Sequence, residues 1–160
     1  MSTEYDETFE SVDAGASMTI PSSAGDIKKN MFMLFNGRPC KVVDYSTAKT
    51  GKHGHAKASI TGIDIFTGKK YEDSLPCSHG VEIPNIKRTE WQVISLDGDN
   101  YLTLMDQLGN TRSDLKLPDD TPDDAKLSER ITLIVEEGRE AYVTILEAMG
   151  IEKVDDVKEI

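Results

Sequence analysis

Short runs of strand-forming residues, each ended by a glycine-containing turn, recur along this chain of 160 residues. Residues 31–45 predict a hairpin, because an apolar run stops at Asn36-Gly37, a pair that favours tight turns, and a second strand follows. Further strands in this half are predicted over residues 57–66, 71–77 and 81–83. Strands this short and this closely spaced indicate a small antiparallel barrel.

The predicted strand over residues 57–66 changes its pattern at Gly62. Ala58 and Ile60 share one face of the strand, whereas Ile63 and Ile65 share the other. A glycine at such a change predicts a β-bulge, which bends a strand around a barrel. Pro84-Asn85 then interrupts the strand pattern, so we expect a domain boundary there.

The second half repeats the rhythm of strands and turns and adds a helix. Strands are predicted over residues 90–96, 101–105, 112–117 and 141–146. Between the last two, Thr121 can cap a helix that starts with Pro122 and ends at Gly138. Four or more strands and one helix within roughly 75 residues fit an OB-fold barrel, an architecture common among nucleic-acid-binding proteins.

Charge divides the chain into three parts, and the whole has a net charge of −11. Residues 1–20 carry five acidic and no basic residues, residues 21–86 have a net charge of +3, and residues 87–160 have one of −9. Residues 1–17 are acidic and lack hydrophobic periodicity, so they are predicted to form a disordered tail. Because Lys and Arg supply most affinity for phosphates, any nucleic-acid contact should be led by the basic middle part.

The sequence also indicates where the protein works. No apolar run approaches the ~20 residues that a membrane span needs, and the acidic N-terminus does not resemble a signal peptide. Cys40 and Cys77 fit no disulfide framework and are predicted to be free thiols in a reducing environment. We therefore expect a cytoplasmic protein that makes no membrane contact.

Residues 46–57 hold the strongest candidate site. Two glycines that permit a sharp turn stand among three lysines and two histidines, and no acidic residue occurs between Tyr45 and Ile63. The candidate site residues are Lys49, Gly51, Lys52, His53, Gly54, His55 and Lys57. Because the glycines bracket Lys52, we expect its ammonium group at an exposed tip, where it can meet an external anion.

Other interpretations of this loop stay open at the level of sequence. An ordinary solvated turn has the same composition. A zinc site would combine His53 and His55 with Cys40, Cys77 or His79, although the spacing matches no tetrahedral signature. A phosphate-binding P-loop does not fit, because a histidine follows the lysine where Ser or Thr is needed. A nucleophilic lysine would need burial, which an exposed tip does not provide.

Two aromatic residues of the second half, Trp91 and Tyr101, are candidates for base stacking. Aromatic residues in strands are more often part of a core. Since the basic residues that usually accompany stacking sites are missing around them, we favour the core for both.

Five stretches of the chain resemble the eukaryotic translation factor 5A family, which has archaeal factor 5A and bacterial elongation factor P as relatives. These stretches are residues 37–43, 46–57, 62–73, 81–88 and 112–118, and the second is similar to the hypusine loop of that family. The resemblance implies a mainly β protein with an SH3-like barrel, residues 18–84, that carries the loop. An OB-fold domain with one helix, residues 85–160, would follow it.

The resemblance also implies a function without catalysis, so no catalytic residue, metal or bound cofactor is expected. In the family, deoxyhypusine synthase transfers an aminobutyl group from spermidine to the lysine matched by Lys52, and deoxyhypusine hydroxylase completes hypusine. The factor enters the ribosome near the exit site, and the modified side chain approaches the acceptor end of the peptidyl-tRNA. There it promotes peptide bonds at stalling sequences such as proline runs, and it assists termination.

The partners that the resemblance implies are the ribosome, peptidyl-tRNA and the two modifying enzymes, and a weak homodimer is also expected. Two alternatives come from other classes of protein. One is an RNA-binding module that uses the unmodified basic loop, and the other is a metal-dependent enzyme that uses the histidines and a cysteine.

Overall fold

The computed structural model describes residues 18–49 and 56–160, so the predicted tail of residues 1–17 lies outside the described residues. The described residues form eleven strands and one α-helix. These are β1 (Thr19–Ser23), β2 (Phe32–Phe35), β3 (Arg38–Lys49), β4 (Ala56–Asp64), β5 (Lys70–Pro76), β6 (Gly80–Pro84), β7 (Lys87–Leu96), β8 (Tyr101–Met105), β9 (Thr111–Lys116), α1 (Pro122–Glu136), β10 (Ala141–Ala148) and β11 (Ile151–Glu159). No helix in these residues is long and apolar enough to cross a membrane.

The chain divides into two compact units. The first contains the described residues up to Ile65 and Lys69–Asn85, and the second contains Phe66–Gly68 and Ile86–Ile160. The domains expected from the sequence, residues 18–84 and 85–160, are contiguous. The structure differs in that Phe66–Gly68, from within the first range, belongs to the second unit.

The first unit is built from a four-stranded antiparallel sheet, β2-β3-β4-β5, and the two-stranded sheet β1-β6. Its buried core is formed by Ala24, Ile27, Met33, Phe35, Cys40, Val42, Ala58, Ile60 and Val81. The predicted hairpin is confirmed as β2 and β3, and both Asn36 and Gly37 have positive φ values, 52° and 82°. Asparagine and glycine adopt this conformation more easily than other residues, which explains why the chain reverses here.

The predicted bulge at Gly62 is wrong in its location. Val42 pairs with Gly62 and Asp44 pairs with Thr61, so the unpaired extra residue is Val43 on β3. Along β4 the alternation of buried and less buried residues continues without a break through Asp64. Gly62 is required for a different reason, since a Cβ atom there would lie 2.7 Å from a ring carbon of Phe35.

The second unit is a five-stranded antiparallel sheet in the order β11-β10-β7-β8-β9, with α1 connecting β9 to β10. Its core cluster is formed by Leu102, Leu104, Ile131, Ile134, Ala141, Val143, Ile145, Val154 and Val157. The helix contributes two of these residues from one face, as its apolar spacing predicts.

The predicted end signals of α1 are confirmed. The Thr121 hydroxyl accepts a hydrogen bond from the backbone N–H of Asp124 at 3.0 Å, and the Asp124 carboxylate accepts one from the N–H of Thr121 at 3.1 Å. This reciprocal pair is a capping box, and Pro122 occupies the first turn. Gly138, with a φ of 71°, follows the last turn.

Candidate functional site

The candidate loop connects two strand ends that pair with each other. The ladder of β3 and β4 begins at Cys40 and Asp64 and continues to the pair Lys49 and Ala56. Residues 50–55 join these two paired ends. Gly51, Lys52, His53, Gly54 and His55 lie in this connection and therefore outside the described residues. Of the candidate site residues, Lys49 and Lys57 are described, and both are exposed.

The register places these two lysines on opposite faces of the hairpin. Lys57 lies opposite Ala48, and Lys49 lies opposite Ala56. Directly opposite residues in an antiparallel pair share a face, and neighbours along a strand alternate. Ala58 is fully buried, so Lys49 lies on the core side of the ladder and Lys57 on the outer side. The sequence could not show this, because it does not give the register.

The structure extends the acid-free region from the loop to a third strand. β5 pairs with β4, and its two acidic residues, Asp73 and Glu72, lie opposite Ile60 and Thr61. Four residues of extended strand separate Ile60 from Ala56, which is about 13 Å. That separation exceeds the screening length of about 8 Å at physiological ionic strength. None of these three strands therefore places a carboxylate at the loop end.

A short 3-10 turn, Ala24–Asp26, braces the β3–β4 hairpin near its loop end. The backbone N–H of Cys77 donates to the carbonyl of Ala56 at 2.9 Å, and the N–H of Gly25 donates to the carbonyl of Cys77 at 2.8 Å. A Cβ atom on Gly25 would lie 3.1 Å from the Cβ of Cys77, so glycine permits this close approach. The turn is thereby linked to Ala56, the strand end to which the candidate loop returns.

Tyr45 of β3 makes a second contact with the turn, because its hydroxyl donates to the carbonyl of Ala24 at 2.8 Å. Burial raises the pKa of Tyr45, and the neighbouring Cys77 and Asp26 raise it further. The phenol therefore stays protonated and able to donate at neutral pH. Sequence analysis missed this brace, because its members are far apart in the chain and no local pattern connects them.

The zinc alternative finds no support in the described residues. No group of three His, Cys, Asp or Glu side chains in residues 18–49 and 56–160 could hold a metal ion. Both cysteines are free, as predicted, and Cys40 is fully buried. Burial, with the nearby Asp64 carboxylate, raises the pKa of the Cys40 thiol to about 12. A thiol that stays protonated is a poor metal ligand.

The two aromatic candidates of the second unit differ in position. Trp91 packs against the core cluster, as predicted, and the guanidinium of Arg112 lies 5.5 Å from the centre of its ring. Tyr101 is 37% exposed and is not a core residue, so the prediction is wrong there. Lys116, which pairs with Tyr101 across β8 and β9, places its ammonium 5.4 Å from the ring centre.

A barrel with a lysine-bearing hairpin, followed by an OB-type sheet with one helix, defines a class of two-domain translation factors. Residues 17–79 match the family model described as translation initiation factor 5A-like, N-terminal. Residues 85–158 match the model described as eukaryotic elongation factor 5A hypusine, DNA-binding OB fold. The chain belongs to the eukaryotic translation initiation factor 5A family.

Curated relatives are similar in sequence to this chain over nearly its whole length. The chain is 44% identical over 155 residues to eukaryotic translation initiation factor 5A of Drosophila melanogaster, covering 97% of this chain and 94% of that protein. It is 46% identical over 156 residues to factor 5A-2 of Saccharomyces cerevisiae, covering 98% and 96%.

Two solved structures are also similar. A factor 5A family protein from Naegleria fowleri has a TM-score of 0.82 at 50% identity, covering 89% of this chain and 99% of that one. Factor 5A from Methanococcus jannaschii has a TM-score of 0.66 at 31% identity, covering 89% and 98%. These matches confirm the predicted fold class, an SH3-like barrel followed by an OB-fold barrel with one helix. The relatives are translation factors rather than known enzymes, which associates the chain with the translation machinery.

Proposed function

We propose that this protein acts on the ribosome through Lys52, after that lysine has been converted to hypusine. In this proposal the protein enters near the exit site, and the modified side chain positions the acceptor end of peptidyl-tRNA. It promotes peptide bonds at stalling sequences such as proline runs and assists termination. The observation that carries the proposal is the acid-free end of the β3–β4 hairpin, from which residues 50–55 begin and to which they return.

The chemistry of the side chain supports this role. Unmodified lysine ends in one cation on a short stem, whereas hypusine is longer and adds a second amine beside a hydroxyl group. Such groups contact phosphates and sugar hydroxyls without reading the bases, as a factor that acts on every tRNA requires. Peptide-bond formation stays with the ribosome, and the factor contributes by orienting its substrate.

The remaining candidate residues would support the lysine. Gly51 and Gly54 would let the loop fit both the active site of deoxyhypusine synthase and the ribosomal centre. His53 and His55 would donate hydrogen bonds along the tRNA backbone. Lys49 and Lys57 would contribute positive charge from the two faces of the hairpin, so they contact different parts of the tRNA or its surroundings.

The proposal sets the location and partners of the protein. It would work in the cytoplasm with the ribosome and peptidyl-tRNA, and it would meet deoxyhypusine synthase and deoxyhypusine hydroxylase before that. It would use no metal and no bound cofactor, because spermidine supplies the added group covalently. The weak homodimer stays a prediction.

Replacing Lys52 by arginine tests the function, because arginine keeps the positive charge but cannot accept the aminobutyl group. Cells in which Lys52→Arg is the only copy should fail to translate a reporter with a proline run, while a reporter without the run is affected less. Lys57→Arg serves as the matched control and should keep most activity. Normal translation of the proline reporter with Lys52→Arg contradicts the proposal.

An RNA-binding module with an unmodified loop is the second candidate, and the exposed cations Lys49 and Lys57 at the hairpin end favour it. It predicts RNA binding that weakens as salt rises and that is equal for protein made with and without the modifying enzymes. If hypusine is essential, the modified protein should act on stalled ribosomes and the unmodified protein should not.

A further inference from the structure

The helix of the second unit has a second face besides the one that fills the core. The core face carries Leu127, Ile131 and Ile134. Beside it, a stripe of side chains at helical spacing forms one wall of an open groove of about 490 Å³, and Asn100 and Leu117 complete the lining. The helical residues of this stripe are Ala125, Ser128, Glu129, Thr132, Leu133 and Glu136. We call this feature the α1 groove.

The surface of the α1 groove is more apolar than polar. The Ser128 hydroxyl donates to the carbonyl of Pro118 at 2.6 Å, and the Thr132 hydroxyl donates to the carbonyl of Ser128 at 2.8 Å. Both hydroxyl protons are thus used within the protein. Leu133 is 49% exposed, although it stands in the middle of a well-formed helix.

The charge of the α1 groove has one sign. Its two ionisable lining residues are Glu129 and Glu136, and no lysine or arginine lines it. Neither glutamate forms an ion pair with a residue of the described chain. Lys126 and Arg130 lie on the same helix but outside the groove.

The end of the helix adds to this negative potential. The last turn of α1 contains no basic residue, and Glu136 and the C-cap residue Glu137 lie at the negative end of the helix dipole. Arg139 follows the helix, but it is engaged with Glu137 and Glu159. Acidic residues at this end destabilise a helix, and Glu136, unlike Glu137, has no ion pair in the described residues to offset this cost.

We propose that the α1 groove binds a basic segment of a protein partner, in which lysine or arginine residues flank an apolar residue. The apolar residue covers Leu133 and Leu117, and the two cations meet Glu129 and Glu136. These glutamates are seven residues apart on the helix, a separation of about 10 Å. Alternate side chains of an extended peptide share a face, so cations four positions apart, about 13 Å along the chain, face the groove together with an apolar residue midway between them, and their flexible side chains take up the difference. RNA is disfavoured, because both charged groups of the groove repel phosphates.

A short synthetic peptide with two lysines four positions apart and a leucine midway between them tests the proposal directly. Binding to the full-length protein is measured by NMR titration, and the shifts should cluster on α1 and around Asn100 and Leu117. The double variant Glu129→Gln/Glu136→Gln should bind at least tenfold more weakly. The double variant Glu82→Gln/Glu140→Gln removes the same charge from exposed positions outside the groove and should bind like the original protein. Equal affinities of the two double variants overturn the proposal.

A charge reversal distinguishes a basic protein segment from the other possible occupants of the α1 groove, RNA and a second copy of this chain. Binding to purified ribosomes is measured for Glu129→Lys/Glu136→Lys, with Glu82→Lys/Glu140→Lys as the control. A basic protein segment predicts that the groove variant binds more weakly than the control. Tighter binding by the groove variant shows that RNA faces this surface, and self-association that is lost only in this variant shows that a second copy covers it. Either result overturns the proposal.

The proposal is independent of hypusine. Lys52→Arg leaves the α1 groove unchanged and should bind the peptide with the affinity of the original protein. The groove variants should in turn still be modified at Lys52. Failure of one proposal is therefore distinguishable from failure of the other.

Discussion

Replacing Lys153 by methionine removes a largely buried ammonium group. The Lys153 side chain is 10% exposed, and its Nζ lies 2.5 Å from a carboxylate oxygen of Asp124, which is 12% exposed. The same Nζ donates to the carbonyl of Phe66 at 2.6 Å. Strand β11, the first turn of α1 and the segment Phe66–Gly68 thus meet at one cation within the second unit.

The size of the effect follows from what the replacement leaves behind. Removing one partner of a buried ion pair typically costs 3–5 kcal/mol. Asp124 keeps two backbone donors, the N–H groups of Asp120 and Thr121 at 3.0 and 3.1 Å, so the lower end applies. We expect a loss of about 3 kcal/mol in the free energy of unfolding of the second unit. Lys158→Met is the matched control, because that side chain is 68% exposed and its Nζ lies 3.5 Å from a carboxylate oxygen of Glu90. It should cost less than about 1 kcal/mol.

Urea unfolding followed by tryptophan fluorescence measures this loss, because Trp91 is the single tryptophan of the chain and packs in the second unit. With an m-value of about 1.5 kcal/mol/M, Lys153→Met should lower the urea midpoint by about 2 M. Asp124→Asn in the Lys153→Met background should restore part of the loss, since the unpaired charge is then gone. Equal midpoints for Lys153→Met and Lys158→Met refute this reasoning.

Three further predictions follow from the packing and the charges. Gly62→Ala forces a methyl group against a buried ring and should destabilise the first unit by about 1–3 kcal/mol in thermal unfolding, whereas Gly80→Ala, with open space around it, should not. The carboxylates of Asp114 and Glu152 have lowered pKa values, chiefly because the Arg112 guanidinium donates hydrogen bonds to them. The stability that they contribute is therefore present above pH ~4.5, and it is lost as the pH falls through their folded-state pKa values. Arg112→Met should therefore flatten the loss of stability between neutral and acidic pH, and an unchanged profile contradicts this. An alkylating reagent at pH 8 should modify the partly exposed Cys77 in the native protein but Cys40 only after unfolding, as peptide mapping would show, because burial raises the pKa of Cys40 to about 12.

Local signals predicted those parts of the fold in which neighbouring residues decide the conformation. Asn36-Gly37 reversed the chain as expected, and Thr121 and Pro122 started the helix where the capping rules place it. These features depend on backbone conformations that are determined by a few neighbouring residues.

Strand β11 was missed because a bulge breaks its alternation. Thr144 of β10 pairs with Asp156, and Ile145 pairs with Val154, so Asp155 is left over. The two inward valines, Val154 and Val157, are therefore three positions apart rather than two. The bulge in β3 was also assigned wrongly. The extra residue is Val43, whereas the prediction placed the bulge at Gly62 on the partner strand.

The candidate site also combines features that the sequence predicts with features that only the structure reveals. The composition of residues 46–57 indicates a cationic loop, and a family resemblance assigns a role to Lys52. The faces of Lys49 and Lys57, the brace from Tyr45 and the acid-free end of β5 depend on register and on contacts between distant residues. No local pattern encodes them.

The central claim is that Lys52 carries hypusine, and the intact mass of the protein from its own source, with peptide mapping across Lys52, tests it most directly. The account predicts that the peptide containing Lys52 gains one aminobutyl group and one oxygen. An unmodified Lys52 in active protein contradicts the account and favours the RNA-binding module, while the fold described here would stand.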